Sequence, residues 1–198
     1  MSAMPAIRLQ EHRYTIAEWE KLPEYPKTEL FDGYPILMAP PTWDHQSVSH
    51  ELERQLGNYL HKKQCVVRSN VGVQLDEQYP TVFIPDIIIV CDPKKIRPQG
   101  VVGAPDLIIE ILSPSSGGFD KVEKLNQYLQ NGVREYWIVD PTHKVVDVLQ
   151  WEKGPATKIY TRENKILVGV LDECEIDLSL VFPESDEERL EHKSQPLE

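Results

Sequence analysis

The chain has 198 residues, 40% hydrophobic and 27% charged, proportions that exclude wholesale disorder and fibrous sequence and leave material for one core rather than two. Its formal charge of −11 counts against a nucleic-acid partner, since such binding draws on Lys and Arg; yet ten acids and two bases fall between Asp172 and Glu198, leaving 22 acids and 19 bases in residues 1–171. No run reaches the roughly 20 apolar residues of a membrane helix, the N-terminus lacks an apolar signal core, and Cys65, Cys91 and Cys174 have neither metal-site nor disulfide-framework spacing. A cytoplasmic protein without membrane contact, its cysteines buried or incidental, is therefore expected.

Residues 1–13 read as a loose lead-in. Thr15 to Leu22 begins as a capped helix, with Glu18 three residues after Thr15, and stops before Pro23. Asp32-Gly33 supplies turn chemistry for a hairpin over Glu29 to Met38, with Pro35 at an edge. A helix is predicted from about Asp44 to Lys63, because Val48, Leu52, Leu56, Tyr59 and Leu60 recur at helical spacing; His45 prolongs that inward stripe by one turn. Cys65 to Leu75, Val82 to Val90 and Leu107 to Leu112 read as strands, the last two apolar enough to be covered on both faces.

Ser113 to Gly118 is turn-rich. A second helix, Phe119 to Gln130, turns Val122, Leu125, Tyr128 and Leu129 inward and ends at Gly132. Glu135 to Val139 reads as a buried strand. Val145 to Trp151, Lys158 to Tyr160 and Ile166 to Val170 are expected to extend the same sheet as hairpins, since too few apolar residues remain for a second core. The order predicts an α/β fold, a mixed sheet with helices packed on it and extra C-terminal hairpins, as one domain over residues 1–182 followed by an acidic tail, 183–198.

Two acids interrupt runs that are otherwise apolar: Asp86 in Pro85-Asp86-Ile87-Ile88-Ile89 and Glu110 in Ile108-Ile109-Glu110-Ile111. A buried carboxylate without a partner is costly, so such groups are paired, hydrogen-bonded or metal-bound. Asp86 at a frayed strand start and Glu110 beside a distant Lys or Arg would satisfy that need. So would convergence of both on one hard cation, magnesium or manganese, in an all-oxygen setting. Asp120, Lys124 and Tyr128 share one helical stripe, from which Lys124 either snorkels to solvent or reaches back toward Glu110 to orient a water and offset charge on a phosphate. Asp106 shares a strand face with Glu110 but lies about 13 Å away at the usual rise, too far to join one ion. No His partner is evident for Ser113, Ser115 or Ser116, which leaves a serine hydrolase without support.

Together, Glu29-Leu-Phe-Asp-Gly33, His45 at a helix start, Pro85-Asp86, Pro105-Asp106-Leu-Ile-Ile-Glu110-Ile-Leu-Ser-Pro-Ser115, Asp120 with Lys124 and Tyr128, and Gly132-Val-Arg-Glu-Tyr-Trp-Ile-Val-Asp-Pro141 resemble the Uma-type restriction endonuclease family of the PD-(D/E)XK nuclease superfamily, over roughly residues 14–182. The resemblance implies a restriction-endonuclease-like fold and a Mg2+- or Mn2+-dependent endonuclease acting on DNA as a homodimer and leaving 5′-phosphates. By it, Asp86 and Glu110 bind metal together with the Ile111 carbonyl, Lys124 is the catalytic lysine, and Glu29 and His45 border the site. Where many superfamily members carry lysine two residues after the second acid, this chain has Leu112, and the matching amine is Lys124. A non-catalytic DNA- or protein-binding module of the same fold, and a hydrolase of another phosphate ester, stay open as alternatives.

Overall fold

The computed structural model describes residues 12–113, 118–151 and 156–184. Thr15 caps α1 (Ile16–Trp19) by accepting from the Glu18 amide while the Glu18 carboxylate accepts from the Thr15 amide, the reciprocal box its spacing predicts. Asp32 (φ 48°) and Gly33 (φ 78°) turn β1 (Thr28–Phe31) into β2 (Tyr34–Leu37); two left-handed residues suit a two-residue hairpin. Thr42 accepts from the His45 amide and opens α2 (Trp43–Leu60).

The chain continues through β3 (Val66–Ser69), β4 (Val73–Gln74), β5 (Ile87–Val90), β6 (Ile96–Arg97), β7 (Gly100–Val102) and β8 (Leu107–Ile111). After α3 (Gly118–Gln130) come β9 (Glu135–Asp140), β10 (Val145–Gln150), β11 (Ala156–Thr161), β12 (Lys165–Leu167), β13 (Glu175–Asp177) and α4 (Leu178–Val181). Six strands form a mixed sheet in the order β11-β10-β9-β8-β5-β3. Only the β8–β9 pair, joined through α3, is parallel within it.

Strand alternation sends Ile87, Ile89, Leu107 and Ile109 to one face, beneath Val48, Leu52, Leu56 and Leu60 of α2. Ile88, Val90, Ile108 and Tyr136 point to the other, against Phe83, Val101, Tyr128 and Val133. Both faces are covered, which is why β5 and β8 read as nearly unbroken Ile, Leu and Val. Each such side chain, once buried, contributes about 2 kcal/mol.

Several expectations need correction. The Cys65 to Leu75 run is not one strand, because Asn70 takes a left-handed φ of 55° between β3 and β4. The Val82 to Val90 run breaks at Pro85, which has no amide to donate; Val82 and Phe83 make isolated bridges to Leu30 and Val73, and the ladder starts only at Ile87. Ile166 to Val170 does not extend the main sheet: β12 pairs with β13 alone, and Ile166 and Ile176 pack into the α2-side core. Leu129, one residue and some 100° round the helix from Tyr128, is 44% exposed rather than inward. Cys65 and Cys91 form a disulfide, since the register Val66↔Val90 sets them opposite each other; Cys174 is buried and free. The short β6 and β7, absent from the sequence reading, join β4 in a three-stranded sheet. Most of the lead-in, most of the acidic tail and residues 114–117 lie outside the described residues.

Candidate active site

The antiparallel register that pairs Ile87 with Ile109 sets Asp86, one step before β5, opposite Glu110 near the end of β8. Asp86 Oδ2 accepts the Ile111 amide at 2.7 Å. Its Oδ1 lies 3.2 Å from Nε2 of His45, delivered by the first turn of α2. Glu29 arrives on β1, which the Leu30↔Val82 bridge holds against the approach to β5. Its Oε1 accepts the Ile84 amide at 2.7 Å and the Lys124 ammonium at 2.9 Å. Lys124 also reaches Glu110 Oε1 at 3.3 Å, and the Tyr128 hydroxyl, one helical turn on, donates to that oxygen at 2.8 Å.

The five side chains singled out from the sequence, Glu29, His45, Asp86, Glu110 and Lys124, thus stand in one connected cluster. Of the two fates open to Lys124, the structure shows the inward one: its side chain is 10% exposed. Ile111 contributes its amide to Asp86, while its carbonyl faces His45. Asp106 stands apart, accepting the Cys91 amide at 2.8 Å and Arg134 Nη1 at 3.1 Å, a tie across strand ends. The Asp120 side chain lies outside the described residues. Sequence reasoning set Tyr128 among the inward residues and on one stripe with Lys124, but gave it no role at the site. The available signal was its place on the stripe of Asp120 and Lys124, four residues beyond an amine aimed at a carboxylate.

Burial pushes the Glu110 carboxyl up to about 7, and the nearby charges of Asp86 and Glu29 push the same way, against Lys124 and the Tyr128 hydroxyl. Burial also raises the Tyr128 hydroxyl far above its ordinary range, helped by Glu110 and Glu29, so it stays protonated and donates. For His45 burial opposes charging, but the hydrogen bond to Asp86 and the charges of Asp86 and Glu110 outweigh it and the ring is shifted upward. Its Nδ1 is buried without a hydrogen-bond partner, an unmet polar atom at the site's edge.

Three acidic side chains therefore meet one lysine and one histidine, an acid-rich set that favours an added proton or cation. Asp86, Glu110 and the Ile111 carbonyl are hard oxygen donors of the kind magnesium and manganese prefer. Among the described residues no group of three or more His, Cys, Asp or Glu side chains is placed to hold a metal ion.

The chain is similar to several known proteins. A family model described as "Uma2: Putative restriction endonuclease" matches residues 15–180. Two proteins of Synechocystis sp. (strain ATCC 27184 / PCC 6803 / Kazusa), both described only as uncharacterized, are similar in sequence: slr1290 is 28% identical over 146 residues, 73% of this chain and 75% of its own length. The other, sll1609, is 29% identical over 118 residues, 58% of this chain and 66% of its own length. Among solved structures, a "putative nuclease belonging to DUF820" from Anabaena variabilis ATCC 29413 superposes with a TM-score of 0.71 at 21% identity, covering 85% of this chain and 97% of that one; the fold is shared. No helix among the described residues is long and apolar enough to cross a membrane.

Proposed function

The chain belongs to the Uma2 family, and we propose on that premise that it is an endonuclease that hydrolyses DNA phosphodiester bonds with Mg2+ or Mn2+. The observation that carries this reading is the meeting of Asp86 and Glu110 across β5 and β8, with the Lys124 ammonium 3.3 Å from Glu110. Asp86, Glu110 and the Ile111 carbonyl would hold the ion, which supplies Lewis acidity to a phosphate oxygen and to the attacking water.

The chain's own groups do the rest. Lys124, fixed between Glu29 and Glu110, orients the water and offsets charge gathering on the phosphate. Tyr128 holds the Glu110 carboxylate in position through its hydroxyl. His45 does the same for Asp86. Water attacks phosphorus, the P–O3′ bond breaks, and the departing oxygen takes a proton, leaving a 3′-hydroxyl and a 5′-phosphate. Two copies acting as a homodimer would address both strands.

Supercoiled plasmid with Mg2+ or Mn2+ tests the reading. Asp86→Asn and Glu110→Gln are expected to lower nicking by about 100-fold or more, with small phosphodiesters assayed in parallel for other ester substrates. Equal activity in wild type and both variants rejects the site.

One observation favours a second reading, a metal-free binding module: His45 and Lys124 already neutralise much of the acidic cluster. Calorimetry separates the two. Manganese binding lost in Asp86→Asn supports the enzyme, and no binding at millimolar manganese supports the module.

A further inference from the structure

A groove of about 460 Å³ opens between β3 and the β6–β7 hairpin, on the sheet face that also carries α3. Its floor is apolar, made by Val66, Ile88, Val90 and Val101. At its rim stand the exposed side chains of Arg68, Asn70 and Arg97. No carboxylate lines it, in a chain whose formal charge is −11. Among the described residues neither guanidinium has an acid partner: Arg68 donates to the Val67 carbonyl at 2.7 Å, and Arg97 donates to the carbonyls of Lys94 and Ile96. Both retain most of their five donors for a ligand.

The groove borders the candidate active site through Asn70, which lines it. The Asn70 amide donates to the Asp86 carbonyl at 3.2 Å, and Asn70 Oδ1 accepts from Lys27 at 3.4 Å. Arg68 stands on β3 opposite Ile88, which lies two residues along the chain from Asp86. The walls are fixed. Cys65–Cys91 ties β3 to β5 at the far end, and the Val101 amide donates to the Gly72 carbonyl at 2.8 Å, anchoring the hairpin.

We propose that this groove holds the substrate strand beside the scissile phosphate, with Arg68 and Arg97 on flanking phosphates and the apolar floor beneath sugar and base. This rests on the nuclease reading above. The volume suits a nucleotide or two of a single strand, not a duplex, and guanidinium forks match phosphate oxygens bidentately where an ammonium is only a point charge.

Fluorescence anisotropy of the full chain with a labelled single-stranded oligonucleotide, in EDTA across a salt series, tests it. Arg68→Ala and Arg97→Ala are each expected to weaken binding several-fold and to reduce the slope of log K against log salt by about 0.7. Arg68→Lys should keep the slope while losing part of the affinity. Arg54→Ala, which removes an exposed α2 arginine paired with Glu51, makes the same change in net charge and should leave both readings at wild-type values. Wild-type affinity and slope in the Arg68 and Arg97 variants overturn the proposal, as does an equal loss in Arg54→Ala or no binding by wild type. Binding that needs the two arginines, from a protein that cuts no plasmid, leaves the groove standing and removes the catalytic reading. Cutting by wild type with binding indifferent to both arginines does the reverse. If Arg68→Glu with Arg97→Glu halves the solution mass yet leaves oligonucleotide binding intact, a second copy fills the groove and the proposal fails.

Discussion

Lys124 Nζ lies 3.3 Å from Glu110 Oε1 and 2.9 Å from Glu29 Oε1, so one ammonium on α3 joins a carboxylate from the main sheet to another from the N-terminal hairpin. All three groups are largely buried. Replacing Lys124 with Met leaves the two acids facing each other, and a loss of about 3 kcal/mol in unfolding free energy is expected. Adding Glu29→Gln should recover part of that loss. Urea denaturation of wild type, both single variants and the double variant measures the coupling; strictly additive losses would mean the groups act independently.

The Tyr128 ring packs against Phe83 and Tyr136, with centroids 5.5 and 5.2 Å away, while its hydroxyl donates to Glu110 Oε1. Tyr128→Phe keeps the packing and removes one hydrogen bond to a chargeable group, costing about 1.5 kcal/mol. That bond favours the Glu110 anion, so the carboxyl should titrate above its wild-type value of about 7. Carboxyl-carbon NMR of the metal-free protein reads the midpoint directly, and an unchanged or lower value contradicts the assignment.

Glu135 is wholly buried on β9, where it accepts Trp137 Nε1 at 2.7 Å and the Val170 amide at 3.0 Å. Burial lifts its carboxyl above the ordinary 4.5, against those hydrogen bonds and that of Gln150. The folded state therefore holds the proton more tightly than the unfolded state. Its contribution to stability is complete below the unfolded value and is lost as pH rises through the folded one. The stability of wild type relative to Glu135→Gln should fall as pH rises from about 4.5, by at most about 1.4 kcal/mol per unit. A difference that stays flat or grows with pH would be inconsistent with this.

Gly100 sits where the β6–β7 hairpin presses on Gly72, and a Cβ there would run into the Gly72 carbonyl oxygen. Gly100→Ala should cost about 2 kcal/mol and speed amide exchange across β4, β6 and β7. Gly57 offers the contrast: on α2 an added Cβ meets only Val67 Cγ1, at 3.8 Å, so Gly57→Ala should stabilise by about 0.5–1 kcal/mol. Thermal melts of the two variants should move in opposite directions.

Much of the scaffold was legible because local chemistry and tertiary context agree. Thr15 with Glu18, Asp32-Gly33 and the apolar stripe of α2 each state their geometry within a few residues. Asp86 and Glu110 stood out because charge inside an Ile-rich run needs a partner, and the partners are present. What stayed hidden depends on pairing between distant segments. The two- and three-residue strands β6 and β7 carry no period long enough to read, and Cys65 meets Cys91 only through the β3–β5 register. Tyr128 was hidden for another reason: a phenol that fills core and also donates from its tip leaves the same trace in a hydrophobic pattern as one that only fills.

The Cys65–Cys91 bond joins the outermost ribbon of the main sheet to its neighbour. Exchange of that ribbon between copies, a common route to swapped dimers, would first require reduction. While the bond is oxidised, that ribbon therefore stays with its own protomer in any assembly of this chain.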